Sequence, residues 1–156
     1  MIKARKLTKR FGEVEALVNL NCNIPQGCIY GLVGANGAGK STFLRLCNGI
    51  YKPDEGHISI NGGEVFDNPA VKEHCVFVPD ELYFLPQSNL NRMSLLYESM
   101  YPRFSLERFA DLSAAFKLDR TRPLNTFSKG MRRQAATILA LSSMTDYVFF
   151  DETFDG

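Results

Sequence analysis

Residues 34–42 combine glycines, a lysine and hydroxyl groups at a spacing suited to binding phosphate. They fit the pattern G-x-x-x-x-G-K-[ST], which ends at Ser41. Glycines let the backbone bend tightly, so that successive N–H groups can point at phosphate oxygens. Lys40 could place its ammonium between β- and γ-phosphates, and the Ser41 hydroxyl suits Mg²⁺, which prefers oxygen ligands. The predicted phosphate and nucleotide contacts are Asn36, Gly37, Ala38, Gly39, Lys40, Ser41 and Thr42.

The segments on either side of this loop support the same interpretation. Residues 29–33 form a short apolar run, which predicts a buried strand, and residues 41–47 show the apolar spacing of a helix. Gly49 can end that helix as a cap. An ordinary glycine-rich turn is the alternative, but a loop between a strand and a helix is the context that the phosphate motif requires.

A second chemical pattern lies near the end of the chain. Four apolar residues, 147–150, predict a core strand, and Asp151 and Glu152 follow it directly. Carboxylates at the C-terminal end of a strand lie where open α/β sheets bind ligands. Asp151 would hold Mg²⁺ through water, and Glu152 could polarise the water that attacks a γ-phosphate. The alternative is an acidic pair that only makes the end of a strand soluble. A phosphate loop in the same chain makes this alternative less favoured.

A third pattern, residues 127–134, places a serine, a glycine and a basic turn at the start of a predicted helix. Ser128 can cap this helix, and with Gly130 and the helix N-terminus it offers a second anion site. On the residues alone, a capped helix with a basic first turn is the simpler explanation, because such helices are common.

Taken in this order and spacing, the three patterns resemble the ATP-binding domain of ATP-binding-cassette (ABC) transporters, over essentially the whole chain. The stretch from Ser128 to Gly130 is similar to the family signature, usually written LSGGQ, and the variant letters resemble a bacterial exporter-like branch. The resemblance implies an α/β P-loop NTPase fold, with a RecA-like core, an antiparallel β subdomain and an inserted helical subdomain. It also implies ATP and Mg²⁺ as cofactors. In the family's head-to-tail dimers, Ser128 and Gly130 would contact the γ-phosphate held by the other subunit.

The resemblance assigns roles to further residues. Phe11 matches the aromatic that stacks on adenine, with a core aromatic as the alternative. Asp80 stands where the family's Q-loop usually has glutamine; its carboxylate could still bind Mg²⁺, although a plain turn residue is the alternative. The predicted site then has Glu152 and Lys40 as catalytic residues. Its metal ligands are Ser41, Asp80 and Asp151.

The remaining pattern predicts how the chain is organised. Residues 1–78 and 144–156 would form the core and the β subdomain, and residues 79–143 the helical subdomain. Residues 14–24 alternate loosely, which indicates a strand or hairpin with one buried face, and residues 75–78 indicate a second buried strand. Other local signals are a hairpin turn at 61–63, a helix over 90–101, a helix capped by Ser105, and a helix over about 130–143.

Composition narrows the function classes. The chain has 156 residues with a net charge of +1, which gives no electrostatic reason to expect nucleic acid as a partner. Its apolar runs are too short to span a bilayer. The spacing of the four cysteines fits neither zinc nor a C-x-x-C motif, so we expect buried free thiols in a reducing cytoplasm. They are Cys22, Cys28, Cys47 and Cys75.

The leading expectation is the ATPase subunit of a transporter, which couples ATP binding and hydrolysis to solute transport. It would lie on the cytoplasmic face of the membrane, with membrane-spanning subunits on separate chains. The alternatives are a soluble family ATPase of translation or DNA repair, and a nucleotide-binding module that does not hydrolyse ATP. The family continues beyond Glu152 to a switch histidine, whereas His57 and His74 both precede that residue. We therefore expect a C-terminally truncated domain that binds nucleotide weakly and hydrolyses it poorly.

Overall fold

A computed structural model describes residues 1–151 in two compact units, one spanning Met1–Lys72 and the other beginning at Glu73. The first unit contains a four-stranded antiparallel sheet in the order β2-β1-β3-β4. Its elements, in chain order, are β1 (Ile2–Phe11), β2 (Val14–Ile24), α1 (Lys40–Cys47), β3 (Glu55–Ile60), β4 (Gly63–Glu64) and α2 (Pro69–Lys72). This sheet has the all-antiparallel pairing expected of the β subdomain.

Strand β1 was not predicted, because its alternation is interrupted in the middle. Ile2 and Ala4 are buried on one parity, whereas Leu7 is buried on the other. The change occurs at Lys6, whose φ of 47° lies in the left-handed region, and the pairing with β2 shifts register there. A bulge of this kind adds a residue and moves later side chains to the other face.

Two local predictions in this unit are confirmed in detail. Asn61 and Gly62 join β3 to β4 with φ values of 51° and 86°, the pair of positive angles that a type I′ hairpin turn requires. Gly49 follows the cap residue of helix α1, and the N–H of Ile50 donates to the carbonyl of Arg45 at 2.9 Å. That bond, with Gly49 at a φ of 62°, is the Schellman arrangement that satisfies the last carbonyls of a helix.

The prediction of a buried strand at residues 29–33 was wrong. The segment has no strand assignment, and the side chains of Ile29 and Val33 are almost completely exposed. A strand needs hydrogen bonds from a neighbouring strand as well as apolar side chains, and no strand among residues 1–151 pairs with this segment.

The second unit pairs two short parallel strands and surrounds them with helices. The strands are β5 (Cys75–Val78) and β6 (Tyr147–Phe150), both of which were predicted. Between them lie α3 (Leu90–Met100), α4 (Leu106–Ala115), a 3-10 turn (Leu124–Thr126) and α5 (Lys129–Ser142). The predicted caps are present, since the side chain of Ser105 accepts from the Arg108 N–H at 3.1 Å.

Two groups of apolar side chains hold this unit together. One lies among the helices and is completely buried at Leu90, Ile138 and Leu139. The other places Ala136 and Ala140 of α5 against Val76 and Val78 of β5. Helix α5 belongs to both groups, so its position relative to the strands is set by packing along much of its length. The predicted extent of a helical subdomain, 79–143, stays a prediction.

The four cysteines only partly match expectation. All four are free thiols, and Cys47 and Cys75 are buried as predicted. Cys28 is exposed and Cys22 is half-buried, because both lie at or beyond the exposed edge strand β2. None of the helices within residues 1–151 combines the length and apolar character needed to cross a bilayer.

Candidate functional site

The phosphate loop of the first unit has the backbone shape that its glycines were expected to allow. Gly37 and Gly39 adopt φ values of 81° and 86°, in the region that other residues rarely occupy. Between them the N–H of Ala38 donates to the carbonyl of Ala35 at 3.1 Å, which closes a tight turn. Helix α1 then begins at Lys40, with no acidic residue in its first turn. The positive end of this helix therefore faces the loop without an opposing side-chain charge.

Gly39 also sets how closely the loop approaches β2. A Cβ atom at this position would overlap the carbonyl oxygen of Ala16 and lie 2.8 Å from Cδ2 of Leu17. Real Cβ atoms do not approach other atoms that closely. Gly39 is thus required by packing as well as by its backbone angle, and β2 supports the start of α1 from one side.

Lys40 reaches back across the loop. Its ammonium donates to the carbonyls of Gly34 at 2.8 Å and Ala35 at 3.0 Å. These contacts hold the positive charge over the loop rather than in open solvent. A phosphate bound to the loop would therefore contact this charge. Ser41 and Thr42 lie half-buried in the first turn of α1. Residues 34–38 of the loop are exposed.

Phe11 lies at the end of β1, paired with Val14 across the hairpin. Its side chain is 43% exposed, so it is not the core aromatic of the alternative interpretation. The ring contacts Tyr51 edge-on at a centroid distance of 5.2 Å, and the Lys9 ammonium lies 5.5 Å from its centre. An exposed aromatic ring held at one edge can receive another flat ring.

In the second unit, two acidic residues follow the C-terminal ends of neighbouring strands. Asp151 comes directly after β6, and its N–H donates to the carbonyl of Val78, the last residue of β5, at 3.0 Å. Asp80 follows two residues after Val78. Asp151 is only 3% exposed, whereas Asp80 is exposed. Glu152 lies outside the described residues, so its catalytic role stays a prediction.

The signature stretch caps α5 as predicted. The Ser128 hydroxyl accepts a hydrogen bond from the N–H of Met131 at 3.2 Å. Ser128, Lys129 and Gly130 are all exposed, and a Cβ on Gly130 would lie at an ordinary contact distance of 4.0 Å from the Ser128 hydroxyl oxygen. The start of this helix is therefore open to an incoming group.

One contact of this unit was not anticipated from the sequence. Nη2 of Arg133 donates to Oδ1 of Asp80 at 2.8 Å, which joins α5 to the segment after β5. The next arginine in this turn, Arg132, donates to the carbonyl of Leu82 at 3.2 Å. These groups, with Phe127 and Lys129, line a depression of about 240 Å³. No local pattern pairs Asp80 with Arg133, because the two are far apart in the chain.

A separate charged group lies at the other ends of the same two strands. Asp146, before β6, accepts from Arg103 at 2.6 Å and lies 2.9 Å from Nδ1 of His74, before β5. The hydrogen bond from Arg103 is the main reason that the pKa of Asp146 is lower than usual. Burial raises the pKa of the neighbouring Cys75 thiol to about 12. This cluster lies at the opposite ends of β5 and β6 from Asp80 and Asp151, and it joins three segments of the unit.

The oxygen ligands that the described residues offer fit a Mg²⁺ ion bound together with a nucleotide better than a metal ion held by protein alone. No group of three acidic, histidine or cysteine side chains within residues 1–151 could hold a metal ion. Mg²⁺ commonly takes only one or two protein ligands and completes its shell with waters and phosphate oxygens. Ser41 of the first unit offers a hydroxyl and Asp151 of the second unit a carboxylate, and both are ligand types that Mg²⁺ accepts.

Comparison with known proteins identifies the family of this chain. The family model described as ABC transporter matches residues 17–155. The chain is 28% identical to the ABC transporter ATP-binding protein YtrB of Bacillus subtilis (strain 168), over all of this chain and 53% of that protein. It therefore spans about half the length of this curated relative.

Solved structures give the same result for the fold. A structure described as the ATP-binding subunit of an ABC transporter superposes with a TM-score of 0.88 at 24% identity, covering 98% of this chain and 66% of that one. The dimeric structure of MJ0796, a bacterial ABC transporter cassette, superposes with a TM-score of 0.80 at 25% identity, covering 99% and 75%. The P-loop NTPase fold of ABC cassettes is thus confirmed, and the chain belongs to the ABC transporter family.

Proposed function

We propose that this chain is the nucleotide-binding part of an ABC transporter ATP-binding subunit, which couples ATP binding and hydrolysis to the movement of a solute. The observation that carries the proposal is the loop before α1. Positive φ angles at Gly37 and Gly39 shape it, and the Lys40 ammonium lies over it within 3.0 Å of two loop carbonyls. Together these features offer N–H donors and a fixed positive charge to a polyphosphate.

The remaining predicted residues have defined roles in this proposal. Residues 36–42 hold the phosphates, and Phe11 stacks on the adenine. Ser41, Asp80 and Asp151 are the predicted residues that would hold Mg²⁺, and the bound metal would neutralise charge on the phosphate oxygens. Glu152 orients the attacking water.

The second half of the site would come from another copy of the chain. Ser128 and Gly130 lie exposed at the start of α5, where a hydroxyl, N–H groups and a helix N-terminus can receive a γ-phosphate held by the partner. The dimeric MJ0796 cassette supports a dimer as the working form. Membrane-spanning subunits and a position on the cytoplasmic face of the membrane complete the proposal, and the exporter-like branch stays a prediction.

The test is equilibrium binding of ATP in the presence of Mg²⁺, measured by calorimetry for the original chain and for two lysine variants. Lys40→Ala removes charge-assisted contacts to phosphate, which are worth about 1.5–3 kcal/mol each, so we expect the Kd to rise roughly tenfold to a hundredfold. Lys52→Ala removes an exposed lysine of the same unit and is the matched control. Equal affinity of the original chain and Lys40→Ala would refute the proposed site.

A further inference from the structure

We propose that Asp80 and Arg133 form a positioning pair, through which the segment after β5 holds the first turns of α5 in place. The proposal rests on the proposed function, because α5 begins with the residues that would meet the γ-phosphate of a partner subunit. It gives Asp80 a role other than metal binding. It also gives a specific role to Arg133, which the sequence identified only as part of a basic turn.

The contact itself is short and lies on a well-buried arginine. Nη2 of Arg133 is 2.8 Å from Oδ1 of Asp80, and the Arg133 side chain is only 13% exposed. The Asp80 side chain is 44% exposed, so one end of the pair is open to solvent while the other is enclosed. A guanidinium with this little exposure depends on nearby acceptors more than a surface arginine does.

A second arginine makes the attachment stronger. Arg132 donates from Nη2 to the carbonyl of Leu82 at 3.2 Å, and its guanidinium carbon lies 5.7 Å from the centre of the Phe84 ring. Arg132 and Arg133 thus both contact the same short segment, residues 80–84. The contacts are an ion pair, a hydrogen bond to the backbone and a cation–π contact. Displacing the segment would disturb all three contacts.

The consequence for the site follows from the start of the helix. Ser128 caps α5 through the N–H of Met131, and the N–H of Arg132 donates to the Ser128 carbonyl at 2.9 Å. A shift of the turn that carries Arg132 and Arg133 would therefore move Ser128 and Gly130 with it. We infer that the pair transmits the position of the segment after β5 to the signature serine.

The pair also affects how Asp80 would interact with a cation. A guanidinium at hydrogen-bond distance from the carboxylate repels any second cation brought to the same group. A carboxylate accepts a stronger, charge-assisted hydrogen bond from a guanidinium than the oxygen of a neutral amide does, so an aspartate at position 80 suits an arginine partner. Positioning and metal binding by Asp80 are thus competing roles that experiment can separate.

The experiment compares the original chain with two single variants, Asp80→Asn and Arg133→Gln. A third variant swaps the charges by carrying Asp80→Arg and Arg133→Asp together. Arg108→Gln, on the exposed side of α4, is the control. The first measurement uses analytical ultracentrifugation to determine the monomer–dimer equilibrium in the presence of MgATP. We expect each single variant to weaken dimerisation by about fivefold, the upper range for a partly exposed ion pair, and the charge swap to restore most of the loss. For the monomer with Arg133→Gln, the Kd for ATP should stay unchanged.

The second measurement needs no nucleotide and therefore stands even if the proposed function fails. Hydrogen exchange of the backbone amides at residues 132–136 should be faster in both single variants than in the original chain, and slower again in the charge swap. Unchanged exchange in both single variants would overturn the inference. So would a shift in the Mg²⁺ concentration needed for ATP binding that appears with Asp80→Asn and not with Arg133→Gln, because Asp80 would then be a metal ligand.

Discussion

A Cβ atom on residue 39 would overlap the carbonyl oxygen of Ala16, which places the start of α1 directly against the backbone of β2. The glycine of the phosphate motif therefore has two separate reasons to be a glycine. Its φ of 86° favours a residue without a side chain, and its contact with Ala16 leaves no room for one.

We predict that Gly39→Ala weakens ATP binding at least tenfold, since backbone strain of about 1–3 kcal/mol adds to the steric conflict. The variant should also unfold at a lower temperature, because α1 must move away from β2. Calorimetric titration and thermal unfolding give the two quantities. Gly31→Ala is the control, because the φ of Gly31 is not positive and a Cβ atom there would meet open space. Similar losses in both variants would show that the contact with Ala16 has no special importance.

We predict that Ser128→Ala separates helix capping from a role in the dimer. Ser128 and Ser105 are both serine N-caps, with hydroxyl contacts of 3.2 and 3.1 Å to the backbone. Replacing either should lower the free energy of unfolding by about 1 kcal/mol, as measured by urea denaturation. Only the change at position 128 should weaken MgATP-driven dimerisation, and Ser128→Arg should do so more strongly by blocking the approach of the partner. Equal effects on the dimer from Ser105→Ala would argue against contact across the interface.

Much of this fold could be predicted because its signals are local. The caps at Ser105 and Ser128, the turn at Asn61 and Gly62, and the end of α1 at Gly49 each depend on a few neighbouring residues. Such signals act through backbone angles and nearby N–H groups, which the sequence specifies directly.

The features that were missed depend on distant partners. Residues 29–33 have the composition of a strand, but composition cannot supply the neighbouring strand that would hydrogen-bond to them. The bulge at Lys6 interrupts the alternation of buried and exposed side chains in β1, so a search for alternating apolar residues does not detect this strand. For the site, the motifs identified the loop and the strand-end carboxylates, whereas the link from Asp80 to Arg133 required the packing of α5 on β5.

We predict that Asp146 contributes to stability at neutral pH and loses that contribution in acid. Its pKa is lower in the folded chain than when unfolded, chiefly because Arg103 donates to it. The stabilisation is therefore complete above the unfolded pKa of about 3.9 and disappears as the pH falls through the lower folded value. Asp146→Asn should reduce the free energy of unfolding at pH 7 by up to about 1 kcal/mol, the range for exposed ion pairs.

Urea denaturation at several pH values measures this effect. The difference between the original chain and Asp146→Asn should narrow steadily below about pH 4. Asp111→Asn, on the exposed side of α4, is the control. A difference that stays constant down to the most acidic pH would mean that the carboxylate acts through packing rather than charge.

We predict that the cysteines differ strongly in their reaction with thiol reagents. Cys28 is exposed, so it should react first in the native chain at pH 8. Cys75 is buried and its pKa is raised to about 12, so almost none of it is thiolate at that pH. Its reaction should require unfolding, and that of Cys47 likewise. Timed labelling with mass spectrometry identifies each site, and Cys28→Ser should remove the fast phase. Rapid native labelling of Cys75 would contradict the burial of β5.

The parallel pairing of β5 with β6 has a consequence for the time course of folding. Cys75 pairs with Tyr147 and Val78 with Phe150, so residues 79–146 must be gathered before the two strands can meet. Closing so long a stretch of chain costs entropy before any contact repays it, whereas α3, α4 and α5 can form from neighbouring residues. In refolding experiments, helical circular dichroism should therefore recover before protection of the amides of β5 and β6.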